Sequence, residues 1–444
     1  MSSIARELDR AELLASYDAI RRRTRSLFDL VAPGSYEARP IPLRNPIVFY
    51  EGHLPAFSVN TLLKKGLDRK GVDAELERIF ERGIDPEDES SAAPRGNVSS
   101  WPDRAEVLRF AEAADRAVRD ALENAPLESD VRPALRRSEA VFTILEHELM
   151  HQETLLYILH QLPHDQKRRP DGAKPERGGA PPAPESVHIP SGVTILGASA
   201  ELQRFGWDNE FPAHAVDVPA FDIDVFDVTN EEFLDFVEAG GYRQESLWTP
   251  QGLRWVREAS VAHPFFWKRS NEEWQWRGFF EDIPLPPGWP VYVTQAEASA
   301  YARWRGKRLP TEAELHRAAY GAPWGGEQSF PWGEEPPDES RGNFGFRHWD
   351  PVRVGSFPAG RSAWGVHDLV GNGWEWTSTV FEGFPGFRPM ASYPEYSADF
   401  FDGQHYVLKG ASPATATDLL RRSFRNWFRP QYPYIYATFR CVAA

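Results

Sequence analysis

Residues 163–186, PHDQKRRPDGAKPERGGAPPAPES, offer a folded chain almost nothing to bury. Rich in Pro, Gly and charge, they read as a linker, because neither a helix nor a strand runs through such a stretch. The linker parts the 444 residues into segments 1–162 and 187–444, each long enough to bury a core of its own. From about residue 8 to 162 apolar residues recur at helical spacing, in AELLASYDAIRRRTRSLFDLV (11–31), RAEVLRFAEAADRAVRDALENA (104–125) and ALRRSEAVFTILEHELMHQETLLYILHQL (134–162). That is the pattern of a helical bundle, with DPEDESSAAPRGNVSSWP (85–102) as a loop between helices. Past residue 186, HIPSGVTILGA, HAVDVPAFDIDVFDVT and PVRVGSFPAG read as strands and turns, and TQAEASAYARWRG and TEAELHRAAYG as short helices. The predicted fold class is α followed by α+β, a bundle and then a loop-rich mixed domain whose loops suit binding.

Charge and cysteine content narrow the partners. The formal net charge is -15, from 65 acidic and 50 basic residues. With no long Lys/Arg run the chain lacks the footprint for a phosphate backbone or an anionic membrane, so no nucleic-acid or membrane partner is expected. The N-terminal stretch has no apolar h-region or small-residue cleavage site, and no run reaches about 18 apolar residues, which predicts a soluble, cytoplasmic protein. The single cysteine, Cys441, excludes an internal disulfide and any multi-cysteine metal site. Metal chemistry must use His and carboxylates.

HELMHQET (147–154) supplies both. His147 and His151, four apart, share one face of a helix, close enough for both imidazoles to bind one ion. With Glu148 as general base this is also the zinc-protease motif. A metzincin needs Gly at position 154 and His at 157, where Thr154 and Tyr157 stand. A gluzincin needs a Glu about twenty residues on, and the nearest, Glu176, falls in the linker. Two ordinary helix histidines are the plain alternative. Glu153 beside the pair and a third histidine weigh towards metal. His53, in NPIVFYEGHLPAF, stands among apolar and aromatic residues where a bundle helix is expected to begin. One His from that helix and a pair from another make a facial three-nitrogen site with positions left open.

YEGHLPAF and HELMHQET resemble the DinB-like iron-binding bundle of the ergothioneine-type and ovothiol-type sulfoxide synthases. FDVTNEEF, KRLPTEAELHRAA, FPWGEE, VGNGWEW, RRSFRNWFRP and YATFRC resemble the formylglycine-generating-enzyme-like (C-type-lectin-like) domain fused to that bundle in the same family. Their order, with three histidines upstream, is more specific than any one of them. The resemblance implies that His53, His147 and His151 bind Fe(II). It also implies that the enzyme uses O2 to join a chalcogen atom to the imidazole C2 of hercynine, Nα-trimethylhistidine. Glu146, Glu148 and Glu153 are candidate acceptors for orienting the imidazoles. Formylglycine generation itself needs paired cysteines, and Cys441 reads as core. A non-catalytic binding module is the remaining alternative, and the histidines argue against it.

The same resemblance implies further residues. Asn426 and Trp427 match an Asn-Trp pair that contacts hercynine, and an aromatic face suits its quaternary ammonium. Relatives that take γ-glutamylcysteine carry Asp after that pair and arginines a few residues on. Here Phe428 follows the pair, and PQYPYIY, with Tyr432 and Tyr434, stands where those arginines would come. Met150 stands where ergothioneine-type enzymes commonly have Gln. Loss of charge predicts a neutral, hydroxyl-rich donor, a selenosugar, and hence a selenoneine synthase. The alternative is an ergothioneine-type enzyme using cysteine or γ-glutamylcysteine. Tyr393 and Tyr396, in ASYPEYS, are candidates for the family's catalytic tyrosine, Tyr393 first. DLVGNGWE resembles a calcium loop, with Asp368 and Glu375 giving carboxylates, Gly371 and Gly373 giving carbonyls, and Ca2+ in a structural role.

Overall fold

Asp9 opens the first helix, its side chain accepting from the amides of Ala11 and Glu12 and so satisfying two orphan donors of the first turn. The computed structural model describes residues 8–81, 101–176 and 178–444; the stretch 85–102, expected to be a loop, lies almost wholly outside them. The helices of the first unit are α1 (Arg10–Phe28), α2 (Ile47–Ser58), α3 (Ala74–Ile79), α4 (Arg104–Asn124) and α5 (Glu139–His160). In α4, Val107, Phe110, Ala111, Ala114, Val118, Ala121 and Leu122 are buried, the one-faced stripe that helical periodicity predicts. α2 is buried on nearly every side, as a central helix must be, and packs against α4 and α5. After its internal Pro55 the chain continues as a π-helical segment, Val59–Gly66. The run expected to be helical from residue 134 is interrupted. A 3-10 turn, Pro133–Ser138, holds Arg137 and Ser138 at positive φ before α5 begins.

The two units divide at Gly172/Ala173, and the first also takes in Ala200–Trp207 and Pro389–Tyr396. Two pieces of the segment 187–444 therefore belong with the bundle. The expected linker, 163–186, also proves to be packed structure at its far end. A Cβ on Gly178 would fall 2.8 Å from the indole nitrogen of buried Trp289, and Arg353 Nε donates to the carbonyl of Ala180 at 2.7 Å. Its glycines let bare backbone lie against that surface.

The strands of the second unit are β1 (Ser186–Ile189), β2 (Gly192–Leu196), β3 (His214–Val218), β4 (Phe221–Asp224), β5 (Trp267–Ser270), β6 (Glu273–Arg277), β7 (Asp282–Pro284), β8 (Lys307–Arg308), β9 (Gly373–Val380), β10 (Tyr406–Ala411), β11 (Asn426–Phe428), β12 (Ala437–Thr438) and β13 (Val442–Ala443). They form sheets β1-β4-β13-β8 and β11-β10-β9-β12, a hairpin β2-β3 and a meander β5-β6-β7. Helices α6 (Asn230–Glu238), α8 (Gln295–Trp304) and α9 (Glu312–Tyr320) each begin with a Thr-x-x-Glu capping box, and α7 (Pro250–Glu258) with Thr249 and a proline. Leu315, Ala318 and Ala319 of α9 pack against Ile189, Phe221, Ile223 and Val442 of the first sheet. PVRVGSFPAG, read as strand and turn, holds a turn and a short 3-10 helix, Pro358–Gly360, and no strand. Cys441 is a buried free thiol, and burial raises its pKa, as a core residue requires. No helix among the described residues is long and apolar enough to cross a membrane.

Candidate metal centre

α2 presents His53, and α5 presents His147 and His151. One ligand atom from each lies within 4.8 Å of the other two. Gly52 explains how His53 is held. A Cβ there would sit 2.4 Å from the ring of Phe80, so glycine alone lets that residue close on α2. The carbonyls of Phe80 and Glu81 then accept from His53 Nδ1 at 2.9 and 3.1 Å. That pairing fixes the tautomer and leaves Nε2 as a lone-pair donor. His151 Nδ1 is buried without a hydrogen-bond partner among the described residues. Burial lowers the pKa of all three imidazoles, and His147 and His151 are held well below the ordinary value. Three neutral imidazoles with unspent nitrogens fit a divalent transition ion. Aromatic rings wall the cluster: Phe57 stacks on His147 at 3.5 Å, Phe49 on His53 at 5.0 Å, and Tyr50 lies 5.9 Å from His151.

Glu148, between the two histidines of α5, faces another way. Its carboxylate accepts from Arg21 at 2.8 Å and Thr24 at 2.6 Å, both on α1, and Arg21 also pairs with Asp115 of α4 at 2.8 Å. Tyr17 donates to Asp115, and Gln152 to Thr24. The expectation that Glu148 orients an imidazole is therefore corrected. It ties three helices together, and the acceptors that hold His53 are backbone carbonyls. The commitment to Arg21 also removes it from the role of a protease general base.

Three candidates from sequence gather at the cluster, within the same unit. The Tyr393 ring lies 6.3 Å from His147 and 5.2 Å from Phe57. Tyr396 donates to Met150 Sδ at 3.3 Å and stacks on Trp207 at 3.9 Å. Sequence reasoning did not single out Phe57, although it follows His53 by one helical turn. It had no signal at all for Trp207, which arrives from the far side of the linker.

Asn426, Trp427 and Phe428 form β11, the edge strand beside β10 in the second unit. Trp427 stacks on Phe381 at 4.2 Å and 5°. Phe428 stacks on Tyr432 at 5.2 Å, and Tyr432, itself buried, meets Tyr434 edge-on at 5.2 Å, so these positions form one aromatic cluster. The two carboxylates of the expected calcium loop have partners within the protein. Both oxygens of Glu375 accept from Arg440, at 2.6 and 2.9 Å, in a fully buried pair. Asp368 accepts from the amide of Gly355, and burial pushes its carboxyl up to about 6. Gly371, at φ 106°, lies against the backbone of Asn343, and Gly373 opens β9 opposite Ala411. A carboxylate already held by an arginine offers less charge to a hard cation. Among the described residues, the three histidines are the one group of three His, Cys, Asp or Glu placed to hold a metal ion.

Comparison with known proteins covers both units. Residues 173–444 match the sulfatase-modifying factor enzyme 1-like domain, and residues 16–155 match the DinB superfamily. The hercynine oxygenase of Mycolicibacterium thermoresistibile is 35% identical over 97% of this chain and 94% of its own length. That of Mycolicibacterium smegmatis is 37% identical over 88% of this chain and 89% of its own. Ergothioneine biosynthesis protein 1 of Neurospora crassa is 29% identical over 97% of this chain, which spans 56% of that protein.

Proposed function

The chain belongs to the ergothioneine sulfoxide synthase family and is an oxidoreductase, and from that premise we propose that it joins a chalcogen atom to C2 of the hercynine imidazole, using Fe(II) and O2. The observation that carries this reading is the set of three neutral, converging imidazoles. His53, His147 and His151 would hold the metal. Bound Fe(II) would supply open coordination positions for the donor and O2, and a path by which electrons pass from the two substrates to O2. The chain's own residues do the rest. His53 is fixed by its Nδ1 contacts, Phe57 and Phe49 cover imidazole faces and exclude water, and Tyr393 offers a phenol to give or take a proton near His147. Asn426 and Trp427 are assigned to hercynine. Phe381 holds the plane of the Trp427 indole, and an indole face suits a trimethylammonium group.

The donor in this reading is a selenosugar. Support comes from the packed rings of Phe428, Tyr432 and Tyr434, of which Phe428 and Tyr434 are partly exposed and none carries a charge for a peptide donor. A selenol is also more acidic than a thiol, whose pKa near 8.5 leaves it mostly protonated at neutral pH. The likeness to hercynine oxygenases over nearly the whole chain favours a second reading, in which cysteine or γ-glutamylcysteine is the donor. The test is aerobic turnover of hercynine by the Fe(II) protein with cysteine, γ-glutamylcysteine, a thiosugar and a selenosugar in turn, with products identified by mass. The selenosugar is expected to show the highest kcat/KM, and Phe428→Asp to lower its turnover with little change in hercynine binding. A tenfold preference for either thiol amino compound gives the assignment to the second reading. Absence of any hercynine product removes both.

A further inference from the structure

Tyr393 follows Ser392, and Ser392 is bonded on every side to the bundle. Its amide donates to Glu139 Oε1 at 2.7 Å, and its carbonyl accepts from Lys65 Nζ at 3.1 Å. Its hydroxyl lies 2.8 Å from Thr143 Oγ1, a pair 249 residues apart in sequence. Thr143 already gives its own proton to the carbonyl of Glu139 at 2.8 Å, so in the hydroxyl pair Ser392 is the donor and Thr143 the acceptor. Both side chains are buried, Thr143 to 0% exposure and Ser392 to 1%. Three residues after Tyr393, the Tyr396 hydroxyl donates to Met150 Sδ. Glu139, Thr143, His147 and Met150 succeed one another on α5 at spacings of four, four and three, so they form one stripe along the helix.

We propose that this stripe is a template for the tyrosine loop, and that Thr143 and Ser392 are positioning residues that set the Tyr393 phenol beside His147. One clamp lies a turn before His147 and the other a turn after it, so the segment 392–396 spans the metal-binding turn with both ends tied. Loops are otherwise the mobile part of a fold. Here a loop from late in the sequence acquires the rigidity of a helix because its backbone and side-chain polar groups are satisfied by that helix. The inference rests on the reading of Tyr393 as a phenol serving the metal site.

The test separates position from chemistry. In the full-length chain carrying 3-fluorotyrosine and diamagnetic Zn(II), the 19F resonance of Tyr393 is assigned with Tyr393→Phe. Thr143→Val keeps the shape and removes the acceptor, Ser392→Ala removes the donor, and Thr143→Ser keeps the hydroxyl. Thr143→Val and Ser392→Ala are expected to shift or broaden the Tyr393 line, and Thr143→Ser to restore it. With Fe(II), the first two should lower kcat about tenfold with KM for hercynine within about twofold, as misplacement of a reacting group does. Metal content is expected to stay at the wild-type level. An unchanged Tyr393 line in both variants overturns the proposal. A displaced line together with full turnover by Tyr393→Phe sustains the template and overturns the catalytic reading of that phenol.

Discussion

Each unit buries a dense polar cluster, and the two are built on opposite terms. In the second unit Arg440 donates to both oxygens of Glu375, to Asp227 at 2.9 Å, and to the carbonyls of Val225 and His367. A cation there meets two carboxylates, and the group ties together β9, the segment between β12 and β13, and the loop before α6. In the first unit three imidazoles converge with no hydrogen bond among them, and His151 Nδ1 has no partner among the described residues. Buried polar groups are costly unless paired. A cluster in which one arginine meets each acid is architecture, with Asp227 Oδ2 left without a hydrogen-bond partner among the described residues, and one that holds three neutral imidazoles with unspent nitrogens calls for something from outside. The same contrast runs along α5. His147 and His151 are unspent, whereas Glu148 between them is consumed by Arg21 and Thr24.

The largest effect is expected from breaking the open cluster. His147→Ala should fold, since it leaves no buried charge behind, yet lose iron and turnover together, because two imidazoles hold Fe(II) weakly. Metal analysis of the purified protein and product mass check this, and retention of stoichiometric iron with full activity would remove the three-histidine site. Breaking the closed cluster should do the reverse. Arg440→Leu strands Glu375 and Asp227 without their cation, at a cost of about 3–5 kcal/mol in stability. Denaturant titration reads it, and iron per folded molecule should not change. The smallest effect sharpens the comparison within α5. Glu148→Gln should cost about 1–3 kcal/mol through weaker bonds to Arg21 and Thr24, and the folded protein should keep its iron and turnover. Loss of turnover at full iron content would instead place Glu148 in the chemistry.

What could be read in advance depended on range. The bundle, the domain change and the His147/His151 pair rest on spacings of three, four and seven residues, which a helix converts into a shared face whatever else surrounds it. His53 was legible because it stands in an apolar run that must turn inward. The role of Glu375 was not. Its sequence context shows a carboxylate near glycines, which suits a calcium loop equally well, and the arginine that consumes it lies 65 residues away. The linker misled in part for the same reason. Pro and Gly exclude helix and strand, but they do not exclude a chain lying flat against Trp289.

The sequence by itself determined the order of the two domains, the helices and their apolar faces, the three histidines, and the family to which the motifs point. All of these follow from local periodicity and from residue chemistry at short separation. Only the tertiary structure decided which polar groups remain unspent, that residues 389–396 belong with the bundle, and that Tyr393 lies beside His147. A hydrogen bond across 249 residues exists only once packing has excluded water from both ends and brought the two hydroxyls together. No pattern in either stretch of sequence records that event.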